Sequence, residues 1–179
     1  ILQIGGIVRL AKKIMLGTLL FEGVGAALLT LRFQEQMGWG KAVYYGIFHS
    51  ISAFCNAGFD LMGKDAPYTS FTGYYDDPLV NIVIMALIII GGIGFFVWND
   101  VSTHRHHISR YRLHTKIVLV TTAILVIGGA ALLYLFESQN TLDGMSTQGK
   151  VLSSLFGSVT ARTAGFNTVD TAALTDNSK

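Results

Sequence analysis

Charge is scarce in this chain of 179 residues. Asp, Glu, Lys and Arg make up 13% of it, whereas soluble domains carry about 25%. Cysteine is nearly absent: Cys55 stands alone, which excludes an internal disulfide and any cysteine-based zinc site. The formal net charge of +2 is too small to suggest a nucleic-acid partner. No glycine-rich phosphate loop and no phosphorylated-aspartate motif occurs, so the chain is not expected to hydrolyse ATP or to act as an enzyme, and no cofactor is expected in it. It opens on Ile1 with no signal peptide before the first apolar run and closes on polar residues, so it reads as an internal piece of a longer membrane protein.

Apolar sequence is abundant instead. Hydrophobic residues make up 51% and the mean hydropathy is +0.49. About 20 apolar helical residues cross a bilayer core, and three segments qualify. Residues 78–99 and 117–136 contain no charge, and residues 14–31 hold only Glu22. These runs are apolar on all sides, which argues against a soluble four-helix bundle. Basic residues gather before the first run (Arg9, Lys12, Lys13) and between the second and third (Arg105, Arg110, Arg112, Lys116). By the bias of basic loops toward the cytoplasm, the first span runs outward, the second inward and the third outward. The expected fold is an all-α membrane bundle of span, half-helix, span units with re-entrant loops. Residues 1–13 form a cytoplasmic lead-in, 14–99 one complete unit, 100–116 a cytoplasmic loop, and 117–179 the first part of the next unit.

The outer stretches hold a repeat. FHSISAFCNAGFDL at 48–61 echoes LFGSVTARTAGFNT at 155–168, with Ala57-Gly58-Phe59 aligned on Ala164-Gly165-Phe166. Each copy ends a short apolar helix, residues 41–54 and 150–161, too short to cross. Irregular backbone at membrane depth must be buried in protein or line a wet cavity. Gly58 and Gly165 allow the positive φ that lets successive carbonyls turn toward one axis, and rings of carbonyls replace the water around a monovalent cation such as K⁺. Helix C-termini aimed at that axis would add negative charge. Phe59 and Phe166 are expected to pack behind the two strands. Ordinary interfacial elbows are the plain alternative.

These residues resemble a family. GIVRLAKKIMLGTLLFEGVGA, GIFHSISAFCNAGFDL, GGIGFFVWNDV and SVTARTAGFNTVD look like the membrane subunits of the Ktr/Trk/HKT potassium transporters, most like the Ktr membrane subunit. The resemblance implies four units around one pore, of which 14–99 matches the second and 117–179 the start of the third. It implies that the carbonyls of Cys55, Asn56, Ala57, Gly58, Arg162, Thr163, Ala164 and Gly165 form part of a filter. It also implies channel-like K⁺ uptake with Na⁺ dependence left open, a multi-pass place in a bacterial cell membrane, a homodimer, and a cytoplasmic nucleotide-binding regulatory ring. Neither copy has the TVGYG filter of tetrameric potassium channels, so a less strict selectivity is expected. A secondary transporter of a small solute built on broken helices is the rival reading. An intramembrane enzyme using Glu22 and the histidines is disfavoured, because those groups should sit at different depths.

Other residues carry expectations of their own. Glu22, near mid-span, is expected to be paired structurally, beside Gly23 and Gly25, which permit close helix contact. Arg162 should point away from the cation path and pair with a carboxylate or carbonyls. His104, His106, His107 and His114 read as a solvated basic loop rather than a metal site, and His49 as a packing residue. Gly91, Gly92 and Gly94 read as packing positions, with a bend as the alternative. Asp60, Asp76 and Asp77 are expected in the outer mouth, raising the local cation concentration.

Overall fold

The computed structural model describes residues 4–64, 69–105, 107–176 and 178. Asp65 and His106 therefore lie outside the described residues. Among the described residues six α-helices occur: α1 (Ile4–Met37), α2 (Trp39–Phe54), α3 (Pro78–Gly92), α4 (Phe95–His104), α5 (Leu113–Glu137) and α6 (Thr147–Thr160). Among the described residues there is no strand.

The first two helices are joined by Gly38 alone, whose φ of 74° permits the reversal. Their antiparallel register follows from the contacts between Thr30 and Ala42, Ala26 and Gly46, and Glu22 and Ser50. Close approach is possible because Gly25 and Gly46 lack side chains: a Cβ on Gly25 would lie 2.7 Å from Ser50 Oγ, and one on Gly46 would strike the Thr30 hydroxyl. The fifth and sixth helices pair in the same sense, with Ser158 Oγ donating to the Val126 carbonyl at 2.8 Å beside Gly129. In each pair a serine of the short helix bonds a carbonyl three residues before a glycine of the long one.

Helices α1 and α5 are long and apolar enough to cross a membrane. Met15, Leu16, Leu19 and Leu20 on the first, and Ile124, Ile127 and Leu135 on the second, stay exposed. That surface suits hydrocarbon or further helices rather than water. The core lies between α1, α2, α3 and α6, where Leu29, Phe33, Ile84, Phe156 and Phe166 are fully buried. Phe71, from the connecting segment after the first elbow, fills its centre with its ring 5.0 Å from His49 and 5.5 Å from Phe166.

The expected span 78–99 is not one helix. α3 and α4 meet at 98°. Gly94 has a φ of 89°, which a residue with a Cβ resists, and the Trp98 indole N–H donates to the Ile90 carbonyl at 2.8 Å, satisfying an oxygen near the break. The ring wedges against Phe21, Phe54 and Phe95 at 5.1, 5.4 and 5.0 Å. The glycines divide the work: Gly94 makes the bend, and Gly91 packs on the Phe54 carbonyl with no space for a Cβ.

Two acidic residues have structural roles, Asp77, expected in the outer mouth, and Glu137. Asp77 caps α3, its carboxylate accepting from Leu79 N at 3.1 Å and Val80 N at 3.2 Å, ahead of Pro78 in the first turn. It also pairs with Arg32 of α1. Glu137, at the end of α5, is 1% exposed. Its carboxylate accepts from Thr175 N (2.9 Å), Thr175 Oγ1 (2.6 Å), Asn140 Nδ2 (2.9 Å) and Thr141 Oγ1 (2.8 Å). These donors saturate both oxygens and tie the C-terminal segment to the helix. Glu137→Gln turns one acceptor into a donor facing donors. It should cost about 2 kcal/mol, read as a lower melting temperature of the purified full-length protein; an unchanged melting temperature would contradict this account.

Candidate functional site

The first elbow leaves α2 at Phe54 and runs through Cys55, Asn56, Ala57 and Gly58 to Phe59. The second leaves α6 at Thr160 and runs through Arg162, Thr163, Ala164 and Gly165 to Phe166. Both glycines are left-handed, with φ of 72° at Gly58 and 78° at Gly165. Their backbones touch. A Cβ on Gly58 would strike the Ala164 carbonyl oxygen and lie 3.2 Å from Gly165 Cα, and one on Gly165 would lie 3.6 Å from Gly58 Cα. The C-termini of α2 and α6 therefore converge, and each contributes partial negative charge to the same place.

No hydrogen bond from the described residues reaches the carbonyls of Cys55, Asn56, Ala57, Gly58, Arg162, Thr163, Ala164 or Gly165. The carbonyls just beyond are taken: Phe59 O by Ser52, Phe166 O by Thr160, and Asn167 O by Phe71 N at 2.8 Å. Cys55, Ala57, Thr163 and Gly165 are exposed, Asn56, Gly58 and Arg162 half-buried, and Ala164 buried. The two phenylalanines differ. Phe166 is fully buried, whereas Phe59 is 70% exposed.

Outside the elbows a cavity of about 1010 Å³ opens, lined by Asp60, Ser70, Tyr75, Gly165, Asn167 and Asp170. Of the three aspartates expected at a mouth, Asp60 reaches this cavity while also accepting from Met62 N at 3.0 Å. Asp77 is committed to the α3 cap and Arg32, and Asp76 accepts from Ser146 Oγ at 2.7 Å. A helix cap and a tertiary ion pair take Asp77 out of a solvated role, whereas Asp76 stays exposed.

The Glu22 and Arg162 side chains form no hydrogen bond or ion pair among the described residues, so the partners expected for them are not found there. Glu22 lies within electrostatic reach of Cys55, on the first elbow. Among the described residues no group of histidine, cysteine and carboxylate could hold a metal. His104 Nδ1 lies 3.1 Å from an Asp100 carboxylate oxygen instead. His49 is fully buried, with Nδ1 2.7 Å from the Tyr45 carbonyl and Nε2 accepting from Leu61 N at 3.0 Å. A ring that donates at one nitrogen and accepts at the other is neutral, and it fastens the strand beyond the first elbow to α2. The sequence reading missed Ser52, Thr160 and Phe71. Only hydroxyls near helix ends and an aromatic inside a polar segment hinted at them.

Residues 2–179 match the model of the TrkH family, described as cation transport proteins. The chain belongs to that family. It is 42% identical over 165 residues to the Ktr system potassium uptake protein B of Vibrio alginolyticus, covering 90% of this chain and 35% of the relative. It is 38% identical over 169 residues to the protein of the same name in Bacillus subtilis, covering 93% and 37%. The potassium/sodium uptake protein NtpJ of Enterococcus hirae is 37% identical over 171 residues, covering 94% and 36%. The chain thus spans little more than a third of the length of these relatives. The resemblance to Ktr membrane subunits holds over nearly the whole chain. With TrkH relatives in bacteria and helices of spanning length, its location is a bacterial cell membrane. The relatives are named for cation uptake and none of the three for an enzymatic activity.

Proposed function

We propose that the full-length protein moves K⁺ inward along a path that passes between Gly58 and Gly165. The carbonyl oxygens of Cys55, Asn56, Ala57, Gly58, Arg162, Thr163, Ala164 and Gly165 stand in for water around the ion. The observation that carries this reading is the direct contact of two glycine elbows whose carbonyls accept nothing from the described residues. A backbone carbonyl needs a partner wherever water is excluded, and once the full protein encloses these elbows a desolvated cation is such a partner. The transmembrane potential supplies the drive, about 2.3 kcal/mol per charge per 100 mV.

In this reading residues 14–99 are one span, half-helix, span unit and 117–179 begin a second, with 1–13 and 100–116 on the cytoplasmic side. Further units of the same chain complete the pore. A homodimer and a cytoplasmic nucleotide-binding ring rest on the Ktr likeness. Na⁺ enters as a second cation on the strength of a relative named for potassium and sodium uptake. The broken α3–α4 pair is the observation that favours the rival, a solute transporter with discontinuous helices. The cavity beside the break is mostly apolar, with Phe21, Ile90, Phe95 and Trp98 in its wall, and of its polar lining Lys13 already bonds Asn99.

The test is a structure of the full-length protein in Rb⁺, read by anomalous scattering. Rb⁺ density within coordination distance of the carbonyls at Gly58 and Gly165 is expected. Density confined to the α3–α4 break, or none at the elbows, would overturn the reading.

A further inference from the structure

Ser52 and Thr160 perform the same double task at the two elbows. The Ser52 carbonyl accepts the Ala57 N–H at 2.9 Å, and its hydroxyl donates to the Phe59 carbonyl at 2.7 Å. The Thr160 carbonyl accepts the Ala164 N–H at 3.0 Å, and its hydroxyl donates to the Phe166 carbonyl at 2.7 Å. Each residue therefore holds the chain on both sides of a glycine, at the alanine before it and the phenylalanine after it.

A hydroxyl in a helix ordinarily bonds back to the carbonyl four residues earlier. Ser154 does so to Lys150 at 2.7 Å, and Thr103 to Asn99 at 2.6 Å. Ser52 and Thr160 reach forward instead. The result is selective: the phenylalanine carbonyls are occupied, and the carbonyls from Cys55 to Gly58 and from Arg162 to Gly165 accept nothing from the described residues.

The device is hidden in the sequence. The alignment that places Ala57 on Ala164 pairs Ser52 with Val159. The clasps match only if the first encloses one more residue than the second. That surplus sits beside Asn56, which has a φ of 51°, a conformation asparagine tolerates better than most residues.

We propose that Ser52 and Thr160 are positioning residues which set the outer limit of the coordinating oxygens and thereby the cation preference. This inference rests on the filter reading above. By turning Phe59 O and Phe166 O inward to protein, the clasps end the free carbonyl run at Gly58 and Gly165. Without a clasp an extra oxygen is released and the glycine backbone loosens.

The experiment measures Rb⁺ and Na⁺ uptake by the full-length protein in a bacterial strain lacking its own potassium uptake, normalised to protein in the membrane. Ser52→Ala and Thr160→Val are compared with Ser52→Thr and Thr160→Ser, and with Gly58→Ala. Each loss variant should lower the Rb⁺ to Na⁺ uptake ratio about fivefold, the effect of one ordinary hydrogen bond on an equilibrium. The conservative variants, which keep a hydroxyl, should restore it. A loss variant absent from the membrane is replaced by Ser52→Cys or Thr160→Cys, whose thiol is a weak donor; the same drop supports the proposal and a wild-type ratio overturns it. A ratio unmoved in the loss variants but altered by Gly58→Ala removes the clasps while leaving the filter. A ratio unmoved by Gly58→Ala as well removes the filter reading and the clasps with it.

Discussion

Replacing Gly58 by alanine in the full-length protein is expected to reduce Rb⁺ uptake about tenfold or more, with the protein still present in the membrane. Two costs add. A Cβ at φ 72° is disfavoured by about 1–2 kcal/mol, and the new methyl would strike the Ala164 carbonyl. Backbone on the opposite side cannot swing away as a side chain does, so the elbows must separate. A change of about 1.4 kcal/mol already corresponds to tenfold in an equilibrium. Gly165→Ala makes the instructive comparison. Its Cβ would meet Gly58 Cα at 3.6 Å, ordinary contact, so only the φ cost remains and the loss should be smaller. Wild-type uptake by Gly58→Ala, or a larger loss in Gly165→Ala, would show that the elbow contact does not govern transport.

The second large effect is expected at Gly91. A Cβ there would strike the Phe54 carbonyl oxygen and lie 2.9 Å from its carbon. α3 would have to retreat from the end of α2, directly behind the first elbow. Overpacking of this kind costs about 1–3 kcal/mol, so Gly91→Ala should lower the melting temperature of the purified protein and reduce uptake with it. Gly92, its neighbour, would place a Cβ 3.6 Å from Asn56 Nδ2. Gly92→Ala fits that space and gains helix propensity of up to about 1 kcal/mol, so it should melt at or above wild type. Two adjacent glycines with opposite outcomes separate close packing from a general intolerance of change in α3. Equal melting of the two variants would contradict the packing described.

Much of the helical framework was legible. The apolar runs mark α1 and α5, and the short helices begin within three residues of where the pattern puts them and end within one. The positive φ at Gly58 and Gly165 was also foreseeable, because glycine in a turn after a helix is the residue that adopts it at little cost. What failed was tertiary. The break at Gly94 is invisible to a count of apolar residues, since both arms are apolar and the indole that satisfies the freed carbonyl lies eight residues from it. Glu137 reads as a loop acid until Thr175, 38 residues away, folds back to bond it. Phe71 sits among polar neighbours that give no hint of complete burial. Ser52 and Thr160 were obscured by the alignment itself, because a fixed spacing cannot match two loops of unequal length.

That inequality has a consequence for any ion held there. The extra residue lies before Ala57, so the oxygens ahead of the two Ala-Gly-Phe stretches do not pair one for one. A cation lodged beside Gly58 and Gly165 would be gripped more closely from one flank than the other, and its resting position would be off-centre. Lopsided coordination penalises an ion that demands a tight, regular shell more than it penalises a larger, softer one, so discrimination between alkali metals would arise here from unevenness rather than from a perfect ring.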